Sequence, residues 1–347
     1  MKDKYNNFSI SFESEGEANE CFEHISKSFP DLDRQTFDYI SDLILEIDKS
    51  ILGRFAANVS DLMAFASSRY VTSKKFRASD AKHLAHVEIG TLFGASALLT
   101  DRMIKSNETS DKFRNIMIDP LKGYYGTSAD VVTGLEVTDE LLFKNLEKFD
   151  AKNYEVLQGY SLDAAVLNRI NELTVVSLFI DGDHTFAGIL KDWNNYSGNV
   201  IVGGHVIIDN VNDKTWPNIE LFMQELKSKI GEAWEIIYEG GVTTILEKKL
   251  DAPVLIKTIF DLDTIHEIER RDESKTFETL SNALERVKTR ENEIENLRRT
   301  LDKAHERILT RDNELNKLNE MLSKAYERIQ TRDNELNSLK EKLSKAH

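Results

Sequence analysis

From about residue 276 to residue 347 the sequence repeats every 21 residues, and 21 is three heptads, so one face of a long helix stays in register throughout. Thr289-Arg290, Thr310-Arg311 and Thr331-Arg332 mark the same point in successive copies. With position a at Leu280, the a series is Leu280, Val287, Ile294, Leu301, Ile308, Leu315, Leu322, Ile329, Leu336 and Leu343, all aliphatic. The d series cycles through Ala, Arg and Leu, from Ala283, Arg290 and Leu297 onward. In a parallel coil, g of one chain meets e of the next heptad on its neighbour. The charged pairs of that kind are Arg286–Glu291, Glu293–Arg298, Arg307–Asp312, Arg328–Asp333 and Glu335–Lys340, each of opposite sign. The pattern predicts a parallel homo-oligomeric coiled coil, dimer or trimer, with the d-position arginines weakening the seam. The sequence stops in mid-repeat, so a longer rod is expected in the natural protein.

The rest of the chain reads differently. Residues 85–250 alternate apolar, β-branched runs with helix-like stretches, the signature of a doubly wound, mostly parallel sheet. The runs are 86–90, 113–120, 153–161, 174–183 and the second half of 199–210. Two further strand candidates, WEIIYEG and VTTILEKK, join at Gly240-Gly241 as a hairpin that closes one edge. Residues 1–84 read as a helical N-terminal region, a cap or an oligomerisation element. Within it, Ser67–Arg77 is polar and basic and reads as a lid, an acceptor loop or a solvated linker. Residues 251–275 read as a linker and 276–347 as the coil.

The formal net charge of −15 argues against nucleic acid as a main partner, because phosphate binding needs clustered Lys and Arg. The single cysteine, Cys21, rules out a disulfide framework within one chain and a Cys-rich zinc site. No apolar run of signal-peptide or membrane-spanning length is present, so a cytoplasmic protein is expected, with any membrane association at the inner face through a partner.

The chemistry-bearing residues fall at the ends of the strand-like runs. Glu88-Ile-Gly90-Thr-Leu-Phe-Gly94 ends one run and opens a helix, where glycines allow close approach of a ligand and helix N–H groups can meet an anion. Asp119 ends the next run, where an acidic side chain can accept ribose hydroxyls. Asp181-Gly-Asp183-His184 and Asp209-Asn210 end two later runs and would face one cleft. Two carboxylates and an amide oxygen make a hard set suited to Mg²⁺. Taken singly, each motif also fits a plain role: a strand-to-helix turn, a helix-capping Asp, a surface histidine. Asp183 reads either as a metal ligand or as the cap of the next helix.

Together, the Glu-x-Gly-x-x-x-Gly motif and Asp119 resemble class I S-adenosylmethionine (SAM) dependent methyltransferases over about residues 80–249. The resemblance implies SAM as cofactor, met by Glu88, Gly90, Gly94, Asp119 and Asp181, with Gly159-Tyr160-Ser161 at the adenine edge and Asp163 assisting. Asp181, Asp209 and Asn210 resemble the metal ligands of the metal-dependent O-methyltransferases of the catechol and macrocin types. His184 stands where that branch places its base, and a histidine there is more similar to the sugar-acting enzymes. The implied acceptor is a sugar hydroxyl. A surface polysaccharide terminus follows by analogy with chain-terminating enzymes that carry coiled coils, and it brings a polysaccharide-synthesis partner with it. A natural-product O-methyltransferase, a hydroxylase-like relative and a non-enzymatic scaffold are the alternatives.

Overall fold

The computed structural model describes residues 10–107, 111–123, 128–130, 132–256 and 262–346; within the last segment it describes the Arg290 side chain and most side chains from 294 on. The first N-terminal residues, read above for a leader, and the seam positions Leu280, Ala283, Val287, Leu343 and Ala346 lie outside the described side chains.

Three helices come first: α1 (Glu15–Ser28), α2 (Arg34–Ser50) and α3 (Val59–Phe76). The chain then runs β1 (Leu84–Ile89), α4 (Ala95–Ser106), β2 (Phe113–Asp119), α5 (Asp139–Lys148), β3 (Tyr154–Gln158), α6 (Ala164–Ile170), β4 (Thr174–Ile180), α7 (Phe186–Tyr196), β5 (Val200–Ile208) and α8 (Pro217–Lys229). The hairpin β6 (Trp234–Gly240) and β7 (Thr243–Lys248) and the long helix α9 (Leu262–Ala346) complete it. Capping marks the helix starts where the sequence supplies it: Ser14, Asp33, Thr138 and Thr185 each accept a first-turn N–H.

The seven strands form one sheet in the order β3-β2-β1-β4-β5-β7-β6. The first five are mutually parallel, and β7 runs antiparallel to β5 and to β6. This is the expected doubly wound, Rossmann-like sheet with its antiparallel last strand. Strand order reverses between β1 and β4, which opens a crevice beyond their carboxyl ends.

Period-2 alternation divides the strand side chains between two cores. Ala85, Val87, Ile89, Leu178, Ile180, Val206 and Ile208 face α6, α7 and α8. Met117, Phe179, Ile207 and Ile245 face a core shared with α1 through α5. The N-terminal helices thus help to build the core on one face of the sheet. Two positions correct the sequence reading. Ser67–Phe76 is no loop: it lies in α3, and Ser67, Ser68, Arg69, Thr72 and Ser73 are all buried. Its polarity answers polar residues on the strand face beneath it. Arg69 donates to the carbonyls of Ser177 (2.7 Å) and Val87 (3.0 Å), Ser73 meets His86 (2.9 Å) and Ser68 meets His205 (2.9 Å). The second difference is that α9 starts at Leu262, inside the segment expected as linker.

The chain divides into two units, 1–278 and 279–347. In the second, the a-position aliphatics among the described side chains lie in solvent: Leu301 is 70% exposed and Leu322 57%. Among the described residues no helix is long and apolar enough to cross a membrane.

Candidate active site

The same alternation that buries Met117, Phe179 and Ile207 puts Glu88, Asp119, Asp181 and Asp209 on one face, at the ends of four adjacent strands. Backbone bonds carry the ladder past the strand ends and hold those segments level. Gly90 N–H meets Ile118 O (2.9 Å), Asp181 N–H meets Ile89 O (2.9 Å) and Asp209 N–H meets Ile180 O (3.2 Å).

At the end of β1 the chain turns through Gly90 (φ +84°) and Gly94 (φ +81°). A Cβ on Gly90 would lie 1.9 Å from the Asp181 carbonyl oxygen, and one on Gly94 would lie 2.5 Å from Leu142. Both positions therefore require glycine. Glu88 is fully buried below the turn. Its Oε1 accepts from Thr91 Oγ1 (2.8 Å) and Ser96 Oγ (2.7 Å), while Oε2 is buried without a hydrogen-bond partner. Burial pushes the Glu88 carboxyl up to about 7, against the two hydroxyls and the Arg69 charge.

Asp119 does more than end β2. Its Oδ2 accepts from the Thr91 and Leu92 amides (2.8 and 3.1 Å), and Oδ1 accepts from the Leu121 amide (2.7 Å). It clamps the glycine turn, holding Leu92 at φ +49°. Burial raises its pKa, and the three amides oppose the rise. The turn is held from above as well. Asn145 Nδ2 donates to Phe93 O (2.9 Å) and Leu52 O (2.8 Å), and a Cβ on Gly53 would strike the Phe93 ring at 2.3 Å.

Beside it, Arg54 makes a bidentate bond to Asp130 (2.9 and 3.2 Å), with both side chains buried. Burial pushes Asp130 up, but Arg54 and Thr133 outweigh it and hold the carboxyl below its ordinary range.

Asp181 and Asp209 form the acidic centre. Burial and the nearby Asp119 charge push Asp181 up to about 8, with Arg54 opposing. Burial and the charges of Asp181 and Asp61 drive Asp209 well above the carboxylate range. His184 Nε2 lies 3.2 Å from Asp181 Oδ1, and the imidazole packs on Trp216 with ring centroids 4.4 Å apart. Burial lowers His184 to about 4 despite the nearby Asp209, Asp183 and Asp213, so the ring is neutral near pH 7. Asn210 follows at φ +60°, its Nδ2 toward Asp213 Oδ2 (3.4 Å). Asp183 does not cap α7. Thr185 is the cap, and Asp183 Oδ1 accepts from the Thr185 amide (3.0 Å).

The expected adenine edge follows β3. Asp163 Oδ2 accepts from the Tyr160 amide (2.8 Å), Ser161 Oγ donates to Asp192 Oδ1 (2.6 Å), and the Tyr160 ring is 54% exposed. Gly159 sits tightly against Asp163, where a Cβ would meet Oδ2 at 2.7 Å.

Among the described residues no group of three or more His, Cys, Asp or Glu side chains is placed to hold a metal. The trio Asp181, Asp209 and Asn210 takes an amide as its third member. Its donors are all oxygens; desolvation raises the pKa of both carboxylates and the Asp181 charge raises Asp209 further, which a divalent cation would relieve. The residues fit such an ion.

Sequence reasoning missed Arg54, Asp61, Trp216 and Thr243. Asp61 had a visible signal, an acid inside the apolar run Val59–Ala66. The others depend on tertiary contacts that no local pattern announces.

Residues 87–211 match the family model of a methyltransferase domain. An uncharacterised protein, R132, of Acanthamoeba polyphaga mimivirus is 29% identical over 177 residues, 45% of this chain and 72% of that one. Among solved structures, the O-methyltransferase NovP is 16% identical at a TM-score of 0.42, covering 53% of this chain and 79% of NovP. MycE, a methyltransferase of the mycinamycin pathway solved with Mg and SAH, is 13% identical at 0.39, covering 66% and 60%. Likenesses this distant assign neither substrate nor metal.

Proposed function

We propose that this protein is a SAM-dependent O-methyltransferase that uses a divalent metal and acts on a sugar hydroxyl. The observation that carries the reading is the convergence of Glu88, Asp119, Asp181, His184 and Asp209 at the ends of adjacent parallel strands, inside the segment that matches a methyltransferase domain.

The chain's own groups divide the work. The Gly90–Gly94 turn and the N-terminus of α4 present backbone N–H groups to a carboxylate. Glu88 Oε2, buried and without a partner, is an acceptor aimed at no protein group and suits a donor on the cofactor. One acceptor site of Asp119 Oδ1 stays open for a ribose hydroxyl after its amide bonds are counted. Tyr160 offers an exposed ring for adenine.

Bound between Asp181, Asp209 and Asn210, a divalent cation would lower the pKa of an acceptor hydroxyl. His184 takes the hydroxyl proton. The contact of its Nε2 with Asp181 Oδ1 fixes the orientation of the ring. SAM, when bound, would supply its methyl group to the acceptor oxygen as the proton goes to His184, and would leave as S-adenosylhomocysteine (SAH). Trp216 packs against the imidazole of His184 and helps to hold the ring in place.

The histidine base and the coil favour a sugar acceptor at a polysaccharide end, with synthesis at the cytoplasmic side of the inner membrane. The second unit, at ~1.5 Å per residue, makes a rod of about 100 Å. Its solvent-facing Ile308, Leu315, Leu322, Ile329 and Leu336 suit a parallel homo-oligomer that sets a distance from a polysaccharide-synthesis partner.

Calorimetric titration with SAH tests the cofactor assignment. Micromolar binding that Glu88→Ala abolishes is expected, and no heat from the folded wild type would overturn it.

A further inference from the structure

Asp61 sits in the first turn of α3, in the N-terminal region, and is only 2% exposed. A first-turn acid ordinarily faces its own helix's N–H groups. This one reaches across to the β6–β7 turn. Its Oδ1 accepts from the Val242 amide (3.0 Å), and the turn leaves it no slack: a Cβ on Gly241 would lie 2.3 Å from Oδ1. Its Oδ2 is buried and makes no hydrogen bond.

The next residue, Thr243, stands between two buried carboxylates. Its hydroxyl is 3.3 Å from Asp209 Oδ1, and both its hydroxyl and its amide face Asp61. A hydroxyl has one proton to donate. In the structure it is directed to Asp209, and Asp61 Oδ2 is left short of a donor. Cation binding at Asp209 removes that shortage. Asp209 would then have the cation as its partner, and the Thr243 hydroxyl, keeping its proton, would turn its hydrogen bond to Asp61 Oδ2. The charge of Asp61 adds to the attraction in a site screened from water.

We infer that Asp61 is a positioning residue for the cation site: acting through Thr243, it orients Asp209 and strengthens divalent-cation binding, so that the N-terminal helices are part of the metal centre. The inference rests on the metal-dependent reading above. Asp61 lies one residue beyond the ligands and does not itself ligate.

Mn²⁺ titration of the full chain, followed by electron paramagnetic resonance, tests it. The comparison is wild type, Asp61→Asn and Thr243→Val, with SAH affinity measured without metal as the control. Asp61→Asn keeps an acceptor for the Val242 amide but loses the charge. It is expected to weaken Mn²⁺ binding about 10- to 100-fold, as outer-sphere partners of metal ligands do, with SAH affinity unchanged. Thr243→Val is expected to weaken it in the same direction. Equal Mn²⁺ affinity in wild type and Asp61→Asn overturns the inference alone. Absence of Mn²⁺ binding to the wild type overturns the metal reading and the inference with it. Hydrogen exchange on the wild type needs no variant to fold: Mn²⁺ is expected to slow exchange at the Val242 amide, and an unchanged rate counts against the inference.

Discussion

Asp119 offers the sharpest quantitative test, because its place in the sequence and its place in the structure suggest different roles. A strand-end acid reads as a ribose acceptor. In the fold it holds the cofactor turn through three backbone amides, those of Thr91, Leu92 and Leu121. Replacing it with alanine leaves these donors without a partner. A hydrogen bond to a charged group contributes about 1.5–3 kcal/mol, and a buried donor stripped of its acceptor costs about 1–3 kcal/mol. Three bonds set a gross loss of about 4–9 kcal/mol. Relief of burying the carboxylate, whose pKa burial raises, offsets part of it. A net destabilisation of about 3–5 kcal/mol remains. For a unit of this size each kcal/mol lowers Tm by about 2–4 °C, so Asp119→Ala should melt about 10 °C below wild type. Asp119→Asn keeps one acceptor oxygen and should fall about halfway between. The assay is thermal and urea unfolding of the cofactor-free protein. An unchanged melt, with SAH affinity reduced at least tenfold, would refute the clamp and return Asp119 to a purely ribose-binding role.

Four further outcomes follow from the site. Glu88, raised to about 7 by burial, favours folding when protonated, so its contribution is complete below the unfolded value near ~4.3 and is lost as pH rises through about 7. Denaturation curves of Glu88→Gln should therefore lack the decline of up to about 3 kcal/mol that the wild type shows between pH 5 and 8. Arg54→Met should cost about 3–5 kcal/mol by stranding buried Asp130, and Arg54→Met with Asp130→Leu should recover much of that in the same melts. His184→Gln should slow methyl transfer about 10²- to 10⁴-fold with SAH affinity kept, read by steady-state kinetics beside calorimetry. Leu315→Asp with Leu322→Asp should turn a coiled-coil oligomer into a monomer in analytical ultracentrifugation.

The sheet was legible because its signals are local. Val175, Val176, Leu178 and Ile180 leave little choice but a buried strand, and Gly240-Gly241 between two β-rich runs specifies the edge hairpin. Strand-end chemistry followed from the fold, since alternation alone aligns positions 88, 119, 181 and 209 on one face. The N-terminal helices were legible as helices but not in what they contribute. Ser67, Ser68, Arg69, Thr72 and Ser73 read as a solvated stretch because their partners, His86, Ser177 and His205, are themselves polar residues hidden in apolar strands. A buried polar face matched to another buried polar face looks in sequence like two exposed ones. Asp61 and Arg54 escaped for a related reason. Their roles come from contacts across 181 and 76 residues of chain, to Val242 and Asp130. The heptad pattern foretold the helix of the second unit, and the capacity of that helix to pair lies in the aliphatic stripe it exposes.

The central claim is methyl transfer to a hydroxyl at the Asp181–Asp209 centre. The most direct test incubates the protein with methyl-labelled SAM and with glycolipid and small-molecule fractions, with Mg²⁺ and with chelator, beside Asp209→Asn. Label entering a glycan fraction only with Mg²⁺, and not with Asp209→Asn, is the result this account predicts. Label that persists in chelator and in Asp209→Asn, or no label in any fraction, would contradict it.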